Sequence, residues 1–272
     1  MIEIESLEEF DKAVAAADAA GRSMAGWQVQ GLDLTGRDAA LLRLGARGAL
    51  FLGCTLPEAT ADRLREGGAL LFPSVPDVPF DPWRAALYTP DELYDGLADG
   101  YDQTLDAVVY AWTRAGHEPG SLKELLARAL HDSSIDDALE EFVARRRIVG
   151  VMGGHALTRE DPAYADAARL AQALATTGLT VATGGGPGAM EAANLGARLA
   201  DEEPTVVDRV LDEIGEVPTF QPDITAWART ALLSVEGRSD SGRSLGIPTW
   251  HYGHAPPNAF SSSVAKYFRN AI

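Results

Sequence analysis

Residues 179–200 read LTVATGGGPGAMEAANLGARLA. The stretch opens with a short apolar strand, Leu179-Thr180-Val181-Ala182. A glycine knot follows, Thr183-Gly184-Gly185-Gly186, and then a helix. Pro187 stands where a first helical residue belongs, its fixed φ suited to starting one. Three consecutive glycines let the backbone turn sharply and bring its N–H groups near a ligand. The helix behind them aims its unsatisfied N–H groups and the positive end of its dipole at the same spot. That combination suits an anion, most often a phosphate. Glycines also make tight turns with no ligand, so it is the sequence of strand, knot and helix that carries the inference. No G-K-S/T follows the knot, which argues against an ATPase loop. No acidic residue sits at the usual dinucleotide spacing, which argues against NAD.

A second loop strengthens the reading. Ile148-Val149-Gly150-Val151-Met152 has the character of a buried strand and ends in Gly153-Gly154-His155. A helix is expected over 162–177, where Tyr164, Ala167, Ala168, Ala171 and Leu174 recur at helical spacing. Pro162 fits its start and Gly178 its stop. Strand, helix, strand, glycine loop and helix make a βαβα unit, the building block of parallel sheets that bind ligands at the carboxyl ends of their strands. The fold class expected is α/β: a Rossmann-like parallel sheet with helices on both faces, preceded by a smaller α/β domain. Candidate phosphate- and nucleotide-binding residues are Gly153, Gly154 and His155 on the first loop. On the second they are Thr183 (as a hydroxyl donor), Gly184, Gly185, Gly186, Gly188, Ala189 and Met190. Glu191, one turn into the helix, reads most simply as a carboxylate favoured by the dipole.

VMGGHALTRED (151–161) and TGGGPGAMEAANLGA (183–197) together resemble the Rossmann-like family that includes the Lonely Guy cytokinin-activating enzymes, long described as lysine decarboxylase-like. Bacterial nucleotide 5′-monophosphate nucleosidases are among its relatives. The resemblance runs from about residue 147 to the C-terminus. It implies hydrolysis of the N-glycosidic bond of a nucleoside 5′-monophosphate to free base and ribose 5-phosphate, by a homodimer or larger assembly. It also implies a catalytic arginine, best matched by Arg269 in a helix expected over 261–272. The chain departs from the family in lacking the P-G-G-x-G-T-x-x-E segment that supplies its catalytic acid. Three strands are expected in this half, 148–152, 179–183 and 245–252. They leave an open sheet edge: the N-terminal half supplies further strands, a partner chain completes the sheet, or, as is expected here, the chain is a fragment of a longer protein. The alternative to an enzyme is a nucleotide- or phosphate-binding module or sensor without the chemistry. A decarboxylase reading fails, since the three lysines, Lys12, Lys123 and Lys266, stand in no Schiff-base context.

Composition narrows the field. The 272 residues carry 40 acidic and 23 basic side chains, a net charge of −17. That disfavours nucleic acid as a partner, which calls for a basic footprint. A phosphate site must therefore draw on backbone N–H groups. Cys54 is the lone cysteine, which fits a reducing cytoplasm. No apolar run approaches the roughly 20 residues of a membrane span. No cofactor is called for. His251 and His254, three apart on a loop, make too thin a set for a metal, and His254 and Asn258 are placed at the same sheet edge as the glycine loops.

The expected domains are 1–145 and 146–272, with a helical insertion over 201–242. In the first, Ser6 and Glu9 form a capping box for a helix over 7–20. Short strands are expected at 27–29 and 32–34. An internal echo follows, Gly48-Ala49-Leu50-Phe51-Leu52 and Gly68-Ala69-Leu70-Leu71-Phe72, with a helix over 57–66 between its halves. Helices are also expected over 104–114 and 121–147. Arg145-Arg146-Arg147 reads as a solvated helix end.

Overall fold

The computed structural model describes residues 2–115, 121–251 and 255–270. Two compact units emerge, residues 1–85 with 120–134, and residues 86–119 with 135–272. Residues 86–119 and 135–145, which precede the boundary expected near 145, thus group with the second unit. Each unit is built on a four-stranded, wholly parallel sheet with strands in chain order. The class is α/β, as the alternating pattern implies.

The first unit runs β1 (Ile2–Ile4), α1 (Leu7–Ala20), β2 (Trp27–Gln30), α2 (Asp38–Arg43), β3 (Leu50–Leu52), α3 (Glu58–Glu66) and β4 (Leu70–Phe72). The capping box of α1 is present: Glu9 N–H donates to Ser6 Oγ at 3.2 Å and Ser6 N–H to Glu9 Oε2 at 3.1 Å. The echo proves to be a stack of equivalent rungs, longer than the single βαβ unit expected. Gly26, Gly48 and Gly68 each precede a strand with φ between 78° and 90°. Their backbones join rung to rung, Gly26 N–H to Gly48 O at 3.0 Å and Gly48 N–H to Gly68 O at 3.1 Å. Ile4, Val29, Phe51 and Leu71 share one register across the four strands. They pack with Phe10, Leu41 and Leu64 from the intervening helices. Residues 32–34 form no strand. Gly31, at φ 66°, ends β2, leaving only an isolated bridge between Asp33 and Thr55.

The first turns of α6 (Leu122–Val143), which follows α4 (Pro90–Leu93) and α5 (Leu105–Arg114), belong to the first unit. There His131 is fully buried, edge-on to Phe80 with ring centres 5.3 Å apart. Burial holds its pKa below the ordinary 6.5, against the opposing pull of Asp132.

The second unit continues with β5 (Arg147–Val151), α7 (Pro162–Thr176), β6 (Leu179–Thr183), α8 (Ala189–Arg198), α9 (Pro204–Gly215), α10 (Ile224–Val235), β7 (Ser244–Gly246) and β8 (Ser263–Val264). Helices α9 and α10 occupy the expected insertion. Helices α7 and α8 meet along a seam of small residues: Ala171 and Ala175 on one, Ala193 and Ala197 on the other, over Val149, Val151 and Val181 of the sheet. At Gly196 the backbones come so close that an added Cβ would lie 1.9 Å from the Ala168 carbonyl oxygen.

The C-terminal expectations need correction. The third strand is short, ending before Pro248. Residues 261–270 form no helix; they supply β8 and a bridge between Thr249 and Tyr267. The serine run supplies little helix propensity, and long-range pairing takes over. Val264 pairs with β7 on one side and exchanges both backbone hydrogen bonds with Tyr88 on the other, at 2.8 and 3.0 Å. The edge expected to lie open is thereby covered at β8. Lys266, fully buried, reaches the Asp106 carboxylate, which also accepts from Trp250 Nε1 at 2.8 Å and Tyr101 Oη at 2.6 Å.

Two predictions follow from the packing. Gly196→Ala should improve helix propensity by about 1 kcal/mol yet lower the stability, since overpacking a tight core typically costs about 1–3 kcal/mol. A raised thermal midpoint would contradict the close crossing. For His131, the unfolded chain gains a proton as pH falls through 6.5, while the native state takes one up only at lower pH. Stability should therefore be complete well above that value and decline as pH falls through and below it. Urea titrations over that range should show a shallower slope for His131→Gln.

Candidate functional site

The carboxyl ends of β5 and β6 bring the two glycine loops into contact. Gly154 O accepts the Ala189 N–H, the first of α8, at 3.0 Å. An added Cβ on Gly188 would lie 2.2 Å from that same carbonyl, and one on Gly154 would lie 2.6 Å from the Ala189 Cβ. Glycine is required at both positions by space, and their φ values of 78° and 67° favour it as well. The Ala192 N–H returns to Gly188 O at 2.9 Å, closing the first helical turn. Among the described residues, no acceptor takes the N–H of Gly186, Gly188, Met190 or Glu191. These N–H groups cluster at the start of α8, and Gly153, Gly154 and His155 are exposed.

A buried polar knot fixes the second loop. The Thr183 hydroxyl donates to Asn194 Oδ1 at 2.6 Å and accepts the Gly185 N–H at 2.9 Å. Thr183 is 1% exposed, so the expectation that its hydroxyl serves a phosphate is corrected: its proton is already committed and its work is to shape the turn. Asn194 Nδ2 donates to Ser244 Oγ at 2.9 Å and Leu245 O at 3.1 Å. Asn258, expected at the ligand edge, is instead buried behind the loop. Its N–H donates to Gly185 O at 2.8 Å, and its Nδ2 to Gly186 O at 3.2 Å and Asn194 Oδ1 at 3.0 Å. An asparagine inside the Ala- and Leu-rich run 189–200 was the available signal for this network.

Glu191 and Arg159 form the second feature. Both side chains are about 1% exposed. Arg159 Nε and Nη2 donate to Glu191 Oε1 at 3.1 and 2.5 Å. Its Nη1 donates to the carbonyls of Val217 and Trp227, each at 3.2 Å, and its guanidinium lies 4.6 Å over the Trp227 ring. Tyr164 is fully buried nearby, and its hydroxyl makes no hydrogen bond. Burial, reinforced by the Glu191 charge, pushes its pKa well above 10.0. Glu191 lines a cavity of about 140 Å³ together with His155, Thr158, Gly188, Thr219, Phe220 and Trp227. Sequence reading quoted Arg159 within a motif and missed its role, because nothing local distinguishes an arginine whose partner lies 32 residues away.

The remaining expected residues fall elsewhere. Gly184 and Gly186 are half-buried within the loop, and Gly185, at φ 70°, packs against Pro248. Arg269 stands after β8, where it donates to Asp136 and lies 5.1 Å from the Tyr267 ring. Arg146 donates to Gly242 O and Arg147 to Thr177 O. His254 lies outside the described residues. Among the described residues no group of three or more His, Cys, Asp or Glu side chains is placed to hold a metal, and no helix is long and apolar enough to cross a membrane.

Residues 146–204 match the family model described as LDcluster4, SLOG cluster4 family. The match covers β5, α7, β6, the glycine loop and α8, so it falls on the site just described. It supports a coarse relation of this segment to the SLOG superfamily and, with the Rossmann-like fold, a nucleotide-related function in general terms. No curated protein matches the chain.

The knot generates a prediction. Asn194→Ala strips partners from Thr183, Ser244 and Asn258 at once. Buried groups left unpaired cost about 1–3 kcal/mol each, so denaturation should show a loss of more than about 2 kcal/mol. A loss below about 0.5 kcal/mol would mean that the knot does not hold the loop.

Proposed function

We propose that this protein binds a nucleoside 5′-monophosphate, with the 5′-phosphate on the N–H groups of Gly186, Gly188, Met190 and Glu191, and hydrolyses its N-glycosidic bond. The observation that carries the binding half is that run of uncommitted N–H groups at the mouth of α8. In a chain of net charge −17, backbone donors give a local attraction for an anion that side-chain composition does not. The hydrolytic half is supported by the resemblance of 151–161 and 183–197 to nucleotide-processing enzymes and by the carboxylate of Glu191 beside the site.

In the reaction, water adds its oxygen to the anomeric carbon, the C1′–N bond breaks with its electron pair passing to the base, and the base ends with a proton. Positive charge grows on the sugar as the bond breaks, and a carboxylate beside it stabilises that charge. The glycine loop contributes by holding the phosphate and thereby fixing the sugar. We further propose that Arg269 contributes to catalysis and that the protein works as a homo-oligomer, both on the resemblance. A non-catalytic binding module is the second reading. The placement of Arg269 after a strand rather than on a helix favours it.

A panel of nucleoside 5′-monophosphates, with free base measured by chromatography and binding by calorimetry, separates the readings. Base release that falls at least tenfold in Arg269→Ala is the expected result. Binding without release would establish the module. Absence of both binding and release would overturn the nucleotide proposal.

A further inference from the structure

The cavity beside the start of α8 is small and has an aromatic corner. Its volume is about 140 Å³, against about 300 Å³ for the smallest ordinary ligand pockets. A cavity of about 150 Å³ takes up one benzene-sized ring, so this one suits a single six-membered ring. Pro187 and Gly188 form part of its wall. They belong to the turn whose N–H groups are proposed to hold the phosphate, so the ring that enters belongs to the ligand anchored there.

Phe220 and Trp227 also line the cavity, their ring centres 6.2 Å apart and their planes at 69°. A flat ring laid against the face of either meets the edge of the other, the two arrangements that aromatic rings prefer. Arg159 already lies over Trp227, 4.6 Å from the ring centre, and Trp227 is 1% exposed. Phe220, half-buried on the segment between α9 and α10, is the ring left to take an occupant. Thr158 and Thr219 make another part of the wall polar. A nucleoside 5′-monophosphate contains two kinds of ring. The furanose is saturated and puckered, and only the base is flat with a polar edge.

We propose that this cavity is the base subsite and that it takes a pyrimidine, so that the ligand is a pyrimidine nucleoside 5′-monophosphate. The proposal rests on the phosphate reading above. A pyrimidine is one six-membered ring and matches the volume. A purine carries a second, fused ring that the cavity does not hold. Threonine hydroxyls both donate and accept hydrogen bonds, so the wall meets the polar edges of uracil and cytosine alike.

Calorimetry with uridine, cytidine, adenosine and guanosine 5′-monophosphates, ribose 5-phosphate and inorganic phosphate tests this, with KM read in place of Kd where base is released. Stacking of a base on an aromatic side chain is worth about fivefold or more in affinity. Both pyrimidine monophosphates should bind at least roughly tenfold more tightly than ribose 5-phosphate and than either purine monophosphate. Phe220→Ala should remove most of that gain and leave ribose 5-phosphate within about threefold, while Phe220→Tyr, which keeps the ring, should retain the gain. Purine monophosphates that bind as tightly as the pyrimidine ones would overturn the pyrimidine assignment. Nucleotides that bind no better than ribose 5-phosphate, or a gain that survives in Phe220→Ala, would overturn the subsite and leave the phosphate site standing. Absence of binding by all six would instead overturn the phosphate reading, and the subsite with it. Should Phe220→Ala fail to fold, the comparison of the six compounds on the unaltered protein still decides.

Discussion

The site depends on one hydrogen bond, from the Ala189 N–H to the Gly154 carbonyl. It ties the loop after β5 to the first turn of α8. The helix N-terminus is thereby partly capped by protein, and the N–H groups of Gly186, Gly188, Met190 and Glu191 are left without an acceptor among the described residues. The bond sets its own sequence requirements. Gly188 must lack a side chain because the accepting carbonyl occupies that space, and Gly154 because Ala189 does. The carboxyl ends of adjacent parallel strands are where two such loops can meet, so sheet order comes first and the donor arrangement follows from it.

Rigid support lies behind the loops. The α7–α8 seam lets two helices approach at the distance of bare backbone, which fixes the axis along which the donors point. The knot of Thr183, Asn194, Ser244 and Asn258 fixes the turn from the other side, using side chains from β6, α8, β7 and the loop before β8. Its buried polar atoms satisfy one another, so the network specifies a single loop conformation. A turn with three glycines in a row is otherwise permissive, and the knot removes that freedom at the positions where donors must be aimed.

Much of this was legible from local signals. Strand ends marked by glycine, Pro162 at the start of α7 and the alanine periodicity of α7 placed β5, α7, β6 and α8, because each signal acts within a few residues, although Pro187, read as a first helical residue, precedes the Gly188 N-cap of α8. The stack of rungs in the first unit showed only as an echo, since strands of three or four residues carry too little pattern to be counted one by one. Residues 261–270 misled because Val264, Ala265, Tyr267 and Phe268 suit a helix face as well as a buried strand. What decides between them is pairing with Leu245 and Tyr88, far away in sequence. Arg159, Asn194 and Asn258 were overlooked or given the wrong role for a related reason: each acts through partners tens of residues away, and polar residues at such positions look like surface until the fold is known.

Placing a carboxylate one turn inside the proposed anion site looks self-defeating, and the resolution lies in Arg159. An unpaired Glu191 would both oppose a bound phosphate and suffer the cost of a buried charge. Paired, it forms a unit with no net charge, so the helix dipole and the free N–H groups govern the field at the loop. Arg159 takes only one of the two oxygens and spends its other nitrogen on the backbone of the 217–227 segment. It thus neutralises the carboxylate and ties the first turn of α8 to the segment after α9 and to α10.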